Sequence, residues 1–111
     1  MESFPEDFTL ENSMKEMENN QRTMTNAVRK QFFDDTKKAI DGSEPFVKLT
    51  FPKNLWPIHR IKITTEIIDR FGEVETITNN QKTNSVVSIP VTDVNNVSKS
   101  IDSIIIRFMR Q

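Results

Sequence analysis

Four side chains between residues 54 and 60 have chemical types that are suited to ligand contact. They are Asn54, Trp56, His59 and Arg60. An indole can stack on a sugar ring or anchor a protein contact, and the other three groups can donate hydrogen bonds. We predict that these residues contact a ligand or partner protein, although the sequence favours a structural role for Trp56 as a plug at the end of a β domain.

The rest of the sequence gives no pattern typical of catalysis. His59 is the single histidine, and the adjacent acids Asp34 and Asp35 point apart on a helix, so metal ligands are scarce. With Gly42 and Gly72 as the only glycines, no phosphate-binding loop can form, and there is no cysteine. We expect no enzyme activity, and no catalytic, cofactor or metal site.

Charge is distributed unevenly along the chain. Residues 1–20 hold six acidic side chains and Lys15, whereas residues 21–111 carry fourteen basic and ten acidic side chains. This asymmetry favours head-to-tail self-association or docking to another protein, and a solvated terminus is equally compatible with it. The positive excess is too small to indicate nucleic acid as a partner.

The sequence also bears on location. The acidic N-terminus lacks a basic start followed by an apolar run, so we expect no conventional secretory signal. The longest apolar run is Ile104-Ile105-Ile106, so no membrane partner is expected. We predict a cytoplasmic protein, or a component of a virion or another large assembly.

A long helix is predicted for residues 9–42, after an acidic tail at residues 1–8 that we expect to be disordered. The helix would begin near Thr9 or Ser13, because Ser13 and Glu16 fit a capping box. Gly42 is a suitable stop.

Apolar residues along this helix recur in steps of four and three, which is typical of a coiled-coil seam. The seam comprises Leu10, Met14, Met17, Gln21, Met24 and Val28, and it continues to Gln31. A helix this polar is marginal in water alone, so it must lie on a second copy, on a partner or on its own body. We expect Phe32 and Phe33 to pack against that body.

Residues 45–111 are predicted to form a β-rich domain. Apolar and polar residues alternate at 60–67, which favours a half-buried strand over the helix that residues 58–71 could also form. Further strands are expected at 46–51, 74–78, 86–91 and 101–109, with Pro90 placing its strand at an edge or at a bulge. Residues 93–108 also fit a helical face, but a loop at 92–100 is preferred. The predicted fold class is α+β: a long amphipathic helix followed by an antiparallel sandwich or meander of about five strands.

Residues 88–108 read SIPVTDVNNVSKSIDSIIIRF. This run resembles the closing strands of jelly-roll carbohydrate-binding domains, in which a strand ending in I-P-L/V-[ST]-D precedes a loop and a final alternating strand. The resemblance implies a β-sandwich and includes no sugar-contacting residue.

Residues 69–77, DRFGEVETI, resemble the junction between the first helix and second strand of RNA-recognition motifs. That resemblance implies the order β-α-β-β-α, with helices at 58–71 and 93–108. The strand after Asn84 lacks the aromatic and basic residues that stack bases in that family.

These features predict a non-enzymatic structural or interaction protein. The helix would form a homo-oligomer, and the β-rich head would attach to another protein or a glycan, as in accessory proteins of virions or tail fibres. The alternative is a small RNA-binding or regulatory domain.

Overall fold

A computed structural model describes residues 3–108. It has α+β architecture, with two helices, four strands and one short 3₁₀ turn. In chain order the elements are α1 (Leu10–Asp41), β1 (Phe46–Thr50), α2 (Pro57–Phe71), β2 (Val74–Asn80), β3 (Ser85–Val91), the 3₁₀ turn (Val94–Asn96) and β4 (Ser103–Arg107).

The long N-terminal helix is present as predicted. Its N-cap is Thr9, whose Oγ1 accepts a hydrogen bond of 3.2 Å from the Asn12 amide. The capping box proposed at Ser13 is wrong, because Ser13 lies inside the helix and its hydroxyl donates to the Thr9 carbonyl oxygen. At the other end, the Gly42 amide donates to the Lys38 carbonyl oxygen at 2.9 Å. The disorder expected for residues 1–8 stays a prediction.

The strands form a single antiparallel sheet in the order β1-β4-β2-β3, instead of a sandwich of about five strands. The last described strand, β4, is inserted between β1 and β2. Ile104 of β4 lies opposite Leu49 of β1 on one side and Thr76 of β2 on the other. All three are buried, so this row marks the face of the sheet that carries the core.

Residues 57–71 form a helix, so the strand predicted at 60–67 is wrong. Pro57 occupies the first turn, and Gly72 ends the helix with φ of 84°, a left-handed conformation that glycine adopts without strain. Ile63, Ile67 and Ile68 recur at helical spacing and are buried. Packing of this face outweighs the weak helix propensity of the β-branched residues.

Both helices lie on one face of the sheet, with α1 packed on β1 and α2 on β2. The two helices therefore cover the face of the sheet that a second sheet would cover in a sandwich. Leu55, Ile63 and Ile101 are almost completely buried in this core. Phe32 of α1 joins it as predicted, whereas Phe33 is 61% exposed, contrary to prediction.

Strand β3 is one of the two edges of the sheet, which is one of the two positions that Pro90 predicted. Neither helix covers it, and Val86, Val87 and Ile89 are exposed. Val91 is its one buried residue.

Residues 92–102 form a loop with only the short 3₁₀ turn, as preferred from the sequence. Asp93 caps the turn through a 2.9 Å hydrogen bond from the Asn95 amide to its carboxylate. The helix that the RNA-recognition-motif resemblance implied at 93–108 is therefore absent, although its first helix is present as α2. Strand β4 lies within the predicted 101–109, of which Met109 is outside the described residues.

Candidate interaction surfaces

The first eleven residues of α1 project from the rest of the molecule. We call Leu10–Asn20 the arm. None of its side chains is buried, and burial begins at Gln21. The molecule measures 68 × 35 × 24 Å, and the long axis is consistent with a helix that extends past the domain it lies on.

An apolar stripe runs along one side of the arm. Leu10 is 77% exposed, and Met14 and Met17 are each 52% exposed. Side chains spaced by four and three residues share one face of a helix, so the three form a continuous surface. Within residues 3–108, no other part of the chain buries it.

The predicted seam is thus divided into two parts. Gln21 and Val28 are buried against the body, and Met24 is partly buried against the same core. The seam residues of the arm are uncovered. Packing on the protein's own body accounts for the second part of the seam only.

Gln21 fastens α1 to the loop before α2. Its Nε2 donates to the Asn54 carbonyl oxygen at 2.8 Å, and its Oε1 accepts from the Trp56 amide at 2.9 Å. This residue interrupts a hydrophobic seam in the sequence, but in the structure both ends of its buried amide are satisfied. The Asn54 side chain itself is exposed.

Trp56 and His59 stack beside this loop. Their ring centroids are 5.9 Å apart, with 19° between the ring planes. Trp56 is the N-cap residue of α2 and is only partly buried, so it does not plug the end of the domain.

A groove of about 490 Å³ separates these rings from α1. We call it the Trp56 groove. It is lined by Glu18, Arg22, Thr25, Asn26, Arg29, Trp56, Ile58, His59 and Lys62.

The Trp56 groove combines positive charge with exposed apolar surface. Arg22 and Lys62 have no carboxylate partner among the described residues, whereas Arg29 forms a two-bond pair with Glu66 at 2.9 Å. Ile58 is 68% exposed. Such a groove suits a partner that carries both carboxylates and apolar side chains.

Arg60 has a structural role. Its guanidinium donates to the carbonyl oxygens of Leu55, Ile101 and Pro52 at 2.9 Å, and to that of Lys53 at 3.1 Å. It also lies 3.6 Å from the Asp102 carboxylate and 5.9 Å from the centroid of the Phe51 ring. With its donors occupied, Arg60 joins the 51–55 loop to the start of β4 and is not available to a ligand.

A second cleft, of about 270 Å³, lies between α1 and α2. Phe32, Ile63 and Ile67 make it largely apolar. Thr36 is 7% exposed, and its Oγ1 has no hydrogen-bond partner in the part of the chain that the structure describes.

The face of the sheet away from the helices carries a small polar network. Glu75 accepts hydrogen bonds from the Ser88 hydroxyl and from Arg107 Nε, the latter at 2.8 Å. The Ser88 hydrogen bond, and then the Arg107 hydrogen bond and charge, lower the pKa of the Glu75 carboxyl against the opposing effect of burial. Arg107 also lies 5.8 Å from the centroid of the Phe46 ring.

No three histidine, aspartate or glutamate side chains within residues 3–108 lie close enough to hold a metal ion. Neither described helix is sufficiently long and apolar to cross a bilayer.

Comparisons with protein-family models, curated proteins and solved structures found no match to this chain.

Of the four residues predicted to contact a ligand, Trp56 and His59 line the Trp56 groove. Asn54 contributes only its main-chain carbonyl oxygen, which accepts from Gln21. The Arg60 guanidinium is bonded to main-chain carbonyl oxygens, including that of Ile101. Arg22 was missed. The signal that could have identified it is a regular spacing of charges: Glu11 and Glu18 are seven residues apart, as are Arg22 and Arg29.

Proposed function

We propose that this protein is a non-enzymatic interaction protein that self-associates through the arm and presents its body to another protein or a glycan. The observation that supports the proposal is the uncovered stripe of Leu10, Met14 and Met17. An isolated helix gains little stability from its own hydrogen bonds, and helices with such a stripe bury it against another surface. A second copy supplies that surface without any further component.

The oligomeric state tests this proposal. We expect size-exclusion chromatography with light scattering to give a mass above that of the 12.9 kDa chain and to depend on concentration. Replacing Met14 and Met17 by glutamate removes the apolar contact and adds charge, so the variant is expected to be monomeric. A monomeric wild-type protein at all accessible concentrations would refute self-association.

A matched control adds the same two charges elsewhere on the helix. Asn12 and Thr23 lie on the side of α1 opposite the stripe, and both are exposed. The N12E/T23E variant is expected to keep the wild-type mass. Circular dichroism of both variants checks that the body remains folded.

The Trp56 groove is the surface of the body that best suits a partner, since Trp56 offers a partly exposed ring beside charged groups. A protein or glycan that binds there would compete with any part of a second copy that occupies the same groove. Trp56 is the single tryptophan, so ligand binding can be followed by its fluorescence. We expect Trp56→Phe to retain the apolar ring but to weaken sugar stacking, which calorimetry would measure because this variant lacks the fluorescent indole.

Binding of single-stranded RNA is the second candidate function, and it has less support. The open face of the sheet offers one aromatic ring, Phe46, and the neighbouring Arg107 is paired with Glu75. Base-stacking sheets use several aromatic residues. Retardation of an oligonucleotide at low salt that is lost on Phe46→Ala would favour this candidate.

A further inference from the structure

Four charged residues lie along one flank of α1, two acidic residues first and two basic residues after them. Glu11 and Glu18 lie on the arm, and Arg22 and Arg29 lie on the part that rests on the body. Steps of seven, four and seven residues return to nearly the same direction around a helix. One flank therefore has an acidic half followed by a basic half, with Asn20 between them.

We propose that two copies form a symmetric dimer in which the arm of each lies in the Trp56 groove of the other. This inference rests on the proposed self-association and specifies the surface that receives the arm. If the two α1 helices run antiparallel and cross at Asn20, Glu18 of each copy faces Arg22 of the second copy. Glu11 then faces Arg29, so a two-fold axis repeats both pairs.

The distances along the helices agree with this register. At about 1.5 Å per residue, Glu11 and Glu18 are roughly 10 Å apart along the axis, and Arg22 and Arg29 have the same separation. Both pairs can therefore form at once. Arg22 has no carboxylate partner of its own in residues 3–108, and Glu11 would add a second carboxylate to the Arg29–Glu66 pair.

The apolar stripe fits the same arrangement. It points to the side of α1 that faces the body, because it continues the line of buried residues Gln21 and Val28. If the two-fold axis runs from the helices towards the bodies, both bodies lie on the same side of the pair of α1 helices. The stripe of one arm then rests on the first turn of the second copy's α2, where Ile58 is 68% exposed beside Trp56.

Charge favours docking of the arm in the Trp56 groove over direct pairing of two arms. The arm holds Glu11, Glu16 and Glu18 against Lys15, so two arms side by side repel each other. The Trp56 groove is instead lined by Arg22, Arg29 and Lys62 against a single carboxylate, that of Glu18. The arm of a second copy carries both carboxylates and apolar side chains, so it is the kind of partner that suits this groove.

Mixing two charge-reversed variants tests the register. Glu18→Arg places two arginines opposite each other in its homodimer, and Arg22→Glu does the same with two glutamates. We expect the dissociation constant of each variant to rise by about tenfold or more. In an equimolar mixture every facing pair is again opposite in charge, so we expect a heterodimer with an affinity within about threefold of wild type.

Effects within one chain cannot produce this recovery, because residues 18 and 22 of each variant chain carry the same charges before and after mixing. Two variants that each stay dimeric, or a mixture that shows no recovery, would overturn the register. If M14E/M17E still dissociates the dimer in that case, self-association through the arm stands and only the receiving surface is wrong.

Substitution of the receiving surface gives an independent test. Ile58→Ser is expected to weaken the dimer by about tenfold without affecting the fold, since Ile58 is exposed in one copy. Ile40→Ser is the matched control, because Ile40 is 57% exposed near the far end of α1. Equal affinities for the two variants would contradict docking of the arm in the Trp56 groove.

Discussion

The main-chain amide of Trp56 donates a hydrogen bond of 2.9 Å to the side-chain oxygen of Gln21. The side-chain Nε2 of Gln21 donates to the Asn54 carbonyl oxygen. Gln21 is also the first buried residue of α1. This contact therefore marks where the arm ends and attachment to the body begins, and it orients the loop that leads to the Trp56 groove.

Replacing Gln21 by alanine should destabilise the body. Two part-buried main-chain groups would lose their hydrogen-bond partners, and an unpaired group costs up to about 1–3 kcal/mol when it is buried. We expect the free energy of unfolding, measured by urea denaturation with Trp56 fluorescence, to fall by roughly 2 kcal/mol. Gln31→Ala is the matched control, since Gln31 is exposed and bonds only Asp35, and its effect should stay below about 0.5 kcal/mol. Equal losses would show that the Gln21 contact is not important.

Arg60→Lys should be more damaging than its conservative chemistry suggests. A lysine retains the charge but cannot reproduce a planar group that bonds four carbonyl oxygens. We expect the free energy of unfolding to fall by about 2–4 kcal/mol. Arg70→Lys in the same helix provides the comparison, because Arg70 is exposed and has no ion pair among the described residues. A thermal melt that distinguishes neither variant from wild type would contradict the role of Arg60.

Two buried threonines should respond oppositely to the same substitution. The Thr36 hydroxyl has no hydrogen-bond partner in the described chain, so Thr36→Val should leave stability unchanged or raise it by about 1 kcal/mol. The Thr64 hydroxyl donates to the Arg60 carbonyl oxygen at 2.8 Å, and Thr64→Val should lower stability by about 1 kcal/mol. Chemical denaturation of the two variants measures the difference, and a larger loss for Thr36→Val would indicate that its hydroxyl is bonded.

Stability should depend on the ionisation of Glu75. Its pKa is lowered in the folded protein by Ser88 and Arg107, so the folded state binds this proton less readily than the unfolded chain. The contribution is therefore complete above the unfolded pKa of about 4.5 and is lost as the pH falls through the folded value. Glu75→Gln should reduce this part of the acid sensitivity. Denaturation at pH 7 and pH 3 measures it, and identical pH dependence in both proteins would exclude the effect.

The long helix and all four strands could be predicted from local patterns. Thr9 and Gly42 are strong helix boundaries, and β1, β2 and β3 follow two-residue alternation or β-branched runs between turn residues. The preferred placement of β4 was also close. These signals are local, because each depends on residues near in sequence.

Helix α2 was missed because its sequence satisfies two periodicities. Ile61, Ile63 and Ile67 alternate with polar residues, but Ile63 and Ile67 also recur at helical spacing with Ile68. Pro57 at the start and Gly72 at the end are boundary signals that favour the helix. Which face is buried depends on the position of β2 and α1, and a single sequence does not contain that information.

The candidate surfaces were only partly predictable. Trp56 is an obvious binding residue from its type, whereas the role of Arg60 depends on carbonyl oxygens from segments as distant as Ile101. The seam changes from exposed to buried at Gln21, and the position of this change likewise depends on where the body ends. Both are consequences of long-range packing.

The position of β4 has a consequence for the order of folding. β2 and β3 are joined by a short turn and can pair as soon as both are present, but within residues 3–108 β1 pairs with β4 alone. The contact of Phe46 with Arg107 closes a loop that includes most of the body. A chain that stops before Ser103 would hold the β2–β3 hairpin but no partner for β1, so the described core is completed only when β4 is present.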